Sequence, residues 1–136
     1  MAPARPPTTA IVGSVVFASI VLTAFHFTDN YVSIDTYPQP GWVTKAVVLV
    51  SWPLLTSLGV IGYLLLRRGV FTAAHGFLLA YSYTGLSSLG HFLSGSPDEF
   101  TTRGLISVLV DGAAGTAVLG VTVWSILARR RHAARA

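Results

Sequence analysis

The sequence predicts an all-α fold, a four-helix transmembrane bundle with both termini in the cytoplasm, on three observations. Four apolar stretches, 6–28, 46–66, 70–93 and 104–128, hold a single charged residue among them, Asp111. Each reaches the roughly 20 residues that a helix needs to cross about 30 Å of hydrocarbon. Charged residues make up 10% of the 136-residue chain, where a soluble domain carries about 25%. The basic residues are also lopsided. If the first stretch enters from the cytoplasm, Arg5, Arg67, Arg68, Arg129, Arg130, Arg131 and Arg135 fall inside, and Lys45 and Arg103 fall outside. Lys and Arg accumulate on the cytoplasmic side of short loops, so this arrangement is the favoured one.

These totals bound the function. Short connectors leave room for a single four-span domain, 1–136. A net charge of +4 and an isoelectric point near 10 would suggest nucleic acid in a soluble protein, but here the arginines are topology anchors, and no nucleic-acid partner is expected. The chain has no cysteine, which removes disulfides, thiolate metal sites and thiol nucleophiles. No small-x-small cleavage pattern follows the first stretch, so it reads as an uncleaved span in the plasma membrane.

The elements follow in order. Residues 1–7, MAPARPP, read as a disordered lead-in. The first helix is predicted over about 8–27. Asp29-Asn30, Pro38, Pro40 and Gly41 then give the outer loop its turn chemistry. A second helix, about 42–66, contains Pro53, which should kink it, with Trp52 filling the kink. Arg67-Arg68-Gly69 makes a tight hairpin to a third helix, about 70–93. That helix is the most polar, carrying Thr72, His75, Ser82, Thr84, Ser87, Ser88 and His91, and is therefore placed most centrally. Ser96-Pro97-Asp98-Glu99 has the form of a capped helix start, opening a fourth helix over about 97–128. Phe25, Phe27, Tyr31, Tyr37, Trp42, Phe92 and Phe100 gather near the outer surface, as an interfacial aromatic belt does. Gly112, Thr116 and Gly120 form a small-residue ridge suited to close helix contact, either with a second copy or within a larger membrane complex.

Ionisable groups at membrane depth are the functional lead, because hydrocarbon penalises them. Asp111 lies about two turns inside the outer end of the fourth helix, at 1.5 Å per residue, and must face the interior, be protonated or be paired. His26 and His91 end the first and third helices in the same outer layer. Asp29 follows His26 by one turn, and Thr84, Ser88 and His91 form a polar stripe leading inward. Convergence of His26, Asp29, His91 and Asp111 would suit a divalent transition metal. A haem between the two histidines is the weaker alternative. His26, His91 and Asp111 would equally serve as catalytic acid–base groups. The helical phase of His75 differs from that of His91 by about 160°, at about 100° per residue, so the two cannot share a site. His75 and His132 read as structural, as do Tyr81 and Tyr83, whose hydroxyls need partners.

Phosphate-binding loops, nucleophile elbows and zinc-protease motifs are missing from the sequence. Three functions stay open. The first is an accessory or ligand-binding subunit with an outer His/Asp pocket for a metal or a lipid-like ligand. The second is a small enzyme using Asp111, His91 and His26 for acid–base chemistry such as isomerisation. The third is a proton-coupled transporter or channel component, for which the missing inverted repeat is unfavourable.

Overall fold

The computed structural model describes residues 7–133, so Arg5 and the rest of the lead-in through residue 6, together with Arg135, lie outside the described residues. The described chain is helical and contains no strand. Its four helices are α1 (Pro7–Val32), α2 (Lys45–Arg67), α3 (Phe71–Ser88) and α4 (Thr102–Ala133). Three of them hold segments long and apolar enough to cross a membrane: Thr9–Val32, Lys45–Arg67 and Thr102–Arg131. The polar third helix falls short of that standard.

Several boundaries differ from the sequence expectation, each for a local reason. The first helix runs on through Asp29 and Asn30, which read as turn residues, because both side chains are buried and bonded to other elements. Tertiary partners outweigh the local turn preference. The second helix begins at Lys45, where the Thr44 hydroxyl accepts from the Val47 N–H at 3.3 Å, an N-cap that the sequence reading passed over. It continues unbroken past Pro53. Gly69 ends it, with φ of 79°, a left-handed conformation that strains any residue with a Cβ. There Val70 N–H reaches the Leu65 carbonyl at 3.0 Å and Gly69 N–H reaches that of Leu66 at 3.2 Å, the paired bonds of a Schellman stop.

The third helix ends at Ser88, and Leu89–Leu93 tighten into a 3₁₀ turn that carries His91. The Ser96–Glu99 signal forms as expected, with the Glu99 carboxylate accepting from the Ser96 N–H at 3.0 Å, but it caps only the 3₁₀ turn Pro97–Glu99. Thr101 begins the fourth helix instead, its hydroxyl accepting from the Gly104 N–H at 3.1 Å.

α3 packs against both α2 and α4, and α1 packs against α4 and α2. The α3–α4 crossing is the tightest. A Cβ at Gly85 would lie 2.5 Å from the Asp111 carbonyl oxygen, and one at Gly115 would lie 2.6 Å from the Leu86 nitrogen. Backbones approach this closely only where side chains are missing. Of the buried positions of α1, Thr9, Val12, Val16, Ser19, Thr23, His26 and Asn30 alternate spacings of three and four and so form one seam, with Asp29 beside it. Along that seam the interior changes character. Near the arginine end an apolar cluster of Val12, Val16, Leu66, Ala74, Leu78 and Val118 dominates, with Thr9, Thr122 and Ser125 buried beside it; toward the histidine end it is polar. The outside shows the opposite preference, with Phe17, Leu49, Val50 and Leu54 each more than 60% exposed.

Candidate functional site

Two polar assemblies occupy the histidine end, and each takes part of the residue set that the sequence singled out. The first is a closed knot around Asp29. This carboxylate is paired with Arg103 from the start of α4. The loop after α1 folds back so that Tyr37, 7% exposed, enters the same layer. Its hydroxyl lies 2.5 Å from Ser107 Oγ, 3.1 Å from the Gly104 carbonyl oxygen and 3.2 Å from Asp29 Oδ2. Ser107 Oγ also lies 3.3 Å from His26 Nδ1. Burial, reinforced by the neighbouring Asp29 charge, pushes the Tyr37 hydroxyl up to about 12, so it stays a neutral donor. Tyr37, expected in an interfacial belt, is instead an internal strut. Phe100 meets it edge-on at 5.8 Å, and Phe92 meets Phe100 at 5.5 Å.

The second assembly is an open pocket of about 200 Å³ between α1, α2 and α3, with Asp111 of α4 among its lining residues. His26, His91 and Asp111 all line it, together with Asn30, Thr84 and Ser88. The Thr84–Ser88–His91 stripe therefore does meet Asp111, as its spacing suggested. On the apolar side stand Phe27, Trp42, Val43, Val47, Val48 and Leu55. Trp52 lies elsewhere, in a smaller apolar crevice of about 180 Å³ with Phe27, Tyr31 and Leu49.

The hydrogen bonds in the pocket fix several atoms. His91 Nδ1 donates to the Pro38 carbonyl at 2.9 Å, which leaves Nε2 to accept from Asn30 Nδ2 at 3.4 Å. Both ring nitrogens of His91 are thus engaged. Asn30 Oδ1, turned away from that bond, has no partner among the described residues. Asp111 is fully buried; Oδ1 accepts from the Thr23 hydroxyl at 2.7 Å, while Oδ2 has no partner. Thr84 Oγ1 is likewise unpartnered, although Ser82, Ser87 and Ser88 on the same helix each donate to the carbonyl three residues back. An unpaired buried polar atom costs about 1–3 kcal/mol, and the three residues that carry these atoms line one pocket.

A preformed metal cage is a different matter. Among the described residues no three His, Asp or Glu side chains stand where they could share an ion. His26 and His91 have ring centroids 5.5 Å apart, but Asp29 is engaged by Arg103 and Tyr37 in the neighbouring knot. The His91 ring likewise has no nitrogen to spare. The four acid and histidine residues share a region without forming one ligand set.

The other marked residues have plain roles. His75 Nε2 lies 3.2 Å from Ser125 Oγ toward the arginine end. Tyr81 is buried and its hydroxyl accepts from Ser19 at 3.3 Å, whereas Tyr83 is 71% exposed. The Gly112–Thr116–Gly120 ridge is divided. Gly112 is buried, with Leu89 where a Cβ would go, while Thr116 and Gly120 face outward. The side chain of His132 lies outside the described residues. Sequence reasoning missed Thr23, Asn30, Tyr37 and Arg103. The polar residues 19, 23, 26 and 30 on one seam of α1 were the signal available for the first two.

Compared with known proteins, the chain matches no family model, no curated protein and no solved structure.

Proposed function

We propose that this chain is a plasma-membrane protein that crosses the bilayer four times, with both termini cytoplasmic, and binds a small ligand in a pocket on its outer side. The pocket carries the reading: Asp111, Asn30 and Thr84, whose side chains each keep a buried unpaired oxygen, line one cavity together with many apolar residues. Small-molecule sites have this composition, a mostly apolar lining with a few convergent polar groups. A volume near 200 Å³ falls below the roughly 300 Å³ at which sites for drug-sized ligands begin, so the ligand is compact.

The fourth crossing rests on chain connectivity. Arg103 at the start of α4 pairs with Asp29 near the end of α1. If α1 and α2 each cross, the chain must return from Arg67 to that side before α4 begins. The segment 70–101 is what remains to make the return. α3 contributes about 27 Å at 1.5 Å per residue over its 18 residues, and the following 3₁₀ turn extends it. The arginine asymmetry then sets the orientation.

Binding is favoured over conduction by the interior. Past the Ser19–Tyr81 bond the polar run is interrupted by Val12, Leu78 and Val118, all fully buried, before polar groups reappear at Thr9, Thr122 and Ser125. Native mass spectrometry of the protein released from mild detergent tests the proposal. Wild type is expected to retain a small-molecule adduct that Asp111→Asn loses by at least tenfold. Identical adducts in both, or none in either, would remove the reading.

A further inference from the structure

We infer that the pocket ligand is a compact organic amine, bound as its ammonium ion between Asp111 Oδ2, Asn30 Oδ1 and Thr84 Oγ1. This inference rests on the pocket reading above and adds the chemical class of the occupant. Three observations lead to it.

The first is the sign of the unmet groups. In the ionised carboxylate, Asp111 Oδ2 is an acceptor. So is Asn30 Oδ1, because His91 must donate from Nδ1 to Pro38 and therefore takes the amide NH₂ of Asn30 on Nε2. The Thr84 hydroxyl can accept a third bond. A primary ammonium has three N–H donors and no acceptor. A ligand hydroxyl donates once and would leave two of the three oxygens unserved; a carboxylate donates none.

The second is charge. Among the described residues that line the pocket there is no Lys or Arg. Arg103 is held by Asp29 outside it. Neither imidazole bonds Asp111, since His26 turns to Ser107 and His91 to Pro38 and Asn30. Thr23 alone reaches the carboxylate, through Oδ1. A buried ionised carboxylate calls for a counter-charge, and charge-assisted hydrogen bonds are the strong ones.

The third is the apolar wall. Val43, Val47, Val48 and Leu55, of α2 and its N-terminal lead, line the same cavity as Asp111, Asn30 and Thr84. A bare alkali ion would use the oxygens and leave this wall unfilled, whereas an amine with a hydrocarbon body uses both.

The experiment uses the full chain in an uncharged maltoside detergent, with cyclohexylammonium, cyclohexanol and cyclohexanecarboxylate as isosteric probes followed by saturation-transfer NMR. Cyclohexylammonium is expected to bind at least tenfold tighter than cyclohexanol, and the carboxylate not at all. Asp111→Asn should abolish the tenfold preference and leave the weak binding of cyclohexanol in place. Thr84→Val, which keeps the helix and the acid, should weaken the amine three- to tenfold. Equal binding of amine and alcohol by wild type would overturn the inference while leaving a ligand pocket. A retained native adduct with no amine nitrogen would do the same. Stabilisation by sodium over potassium without amine preference would assign the oxygens to a metal ion and overturn it too. No binding of any probe, with no native adduct, would remove the pocket reading as well.

Discussion

At the scale of single residues, the pairing of Asp29 with Arg103 holds the end of α1 to the start of α4. Asp29 is 2% exposed at its side chain and Arg103 is 59% exposed, so part of the attraction is screened by solvent. Removing the cation leaves a buried carboxylate with only hydroxyl partners. Arg103→Gln should destabilise the protein by about 1–3 kcal/mol in reversible denaturation from mixed micelles, and adding Asp29→Asn should recover part of that loss. An unchanged transition in Arg103→Gln would show the pair to be idle. Tyr37→Phe makes a sharper case, because the ring packing survives and only the hydroxyl goes. Ser107, Gly104 and Asp29 all lose a contact, and a loss of about 1–3 kcal/mol is expected, read by the same denaturation. Asp111, His26 and His91 were legible in the sequence because an ionisable group stands out inside an apolar stretch. Tyr37 and Arg103 were not. A loop tyrosine and an interfacial arginine each have an ordinary place at the headgroups, and nothing local says that the loop folds back into the bundle.

At the scale of elements, the apolar stretches marked all four helices, three of which are long and apolar enough to cross a membrane. They marked the helix ends less well. α1 outran its expected end by five residues, from 27 to 32, and α3 fell short of its own by five, from 93 to 88. Both errors lie at the histidine end, where side chains from other elements decide whether another helical turn is worth making. A four-residue rhythm marked Gly112, Thr116 and Gly120 as a surface for another chain; within this chain the close crossing uses Gly85 and Gly115. Small residues show where a helix could be approached, and only the partner's own small residue shows where it is. Gly85→Ala should therefore separate α3 from α4 and destabilise the fold by about 1–3 kcal/mol, the usual penalty of overpacking. Gly120→Ala, with nothing within 4 Å of the added Cβ, should stay within about 0.5 kcal/mol of wild type. Thermal unfolding of the two variants in one detergent makes the comparison, and equal stability would show that the α3–α4 approach is not close.

At the scale of the whole molecule, the distribution of surfaces is inverted relative to a water-soluble bundle. Ser19, Thr23, His26, Asp29, Asn30, Ser107 and Asp111 are inside, while Phe17, Leu49, Val50, Leu54 and Trp42 are largely exposed. Such an outside is stable against lipid and would aggregate in water. The number of crossings follows from where two chain segments emerge. With four crossings, Arg68 at the end of α2 and Asp98 before α4 lie on opposite faces of the membrane. With three, α3 would lie on one face and both positions would emerge together. The sequence has no cysteine, so Arg68→Cys and Asp98→Cys each introduce a single thiol at an exposed position. In intact cells an impermeant maleimide should label Asp98→Cys at once and Arg68→Cys only after permeabilisation. Arg131→Cys should follow Arg68→Cys, because the four-crossing path returns the basic end of α4 to the same face. Labelling of Arg68→Cys and Asp98→Cys from one side would cost the molecule its fourth span. The pocket would then have to be entered from a different direction relative to the bilayer, since His91, which bonds Asn30 of α1, lies on the segment that would no longer cross back.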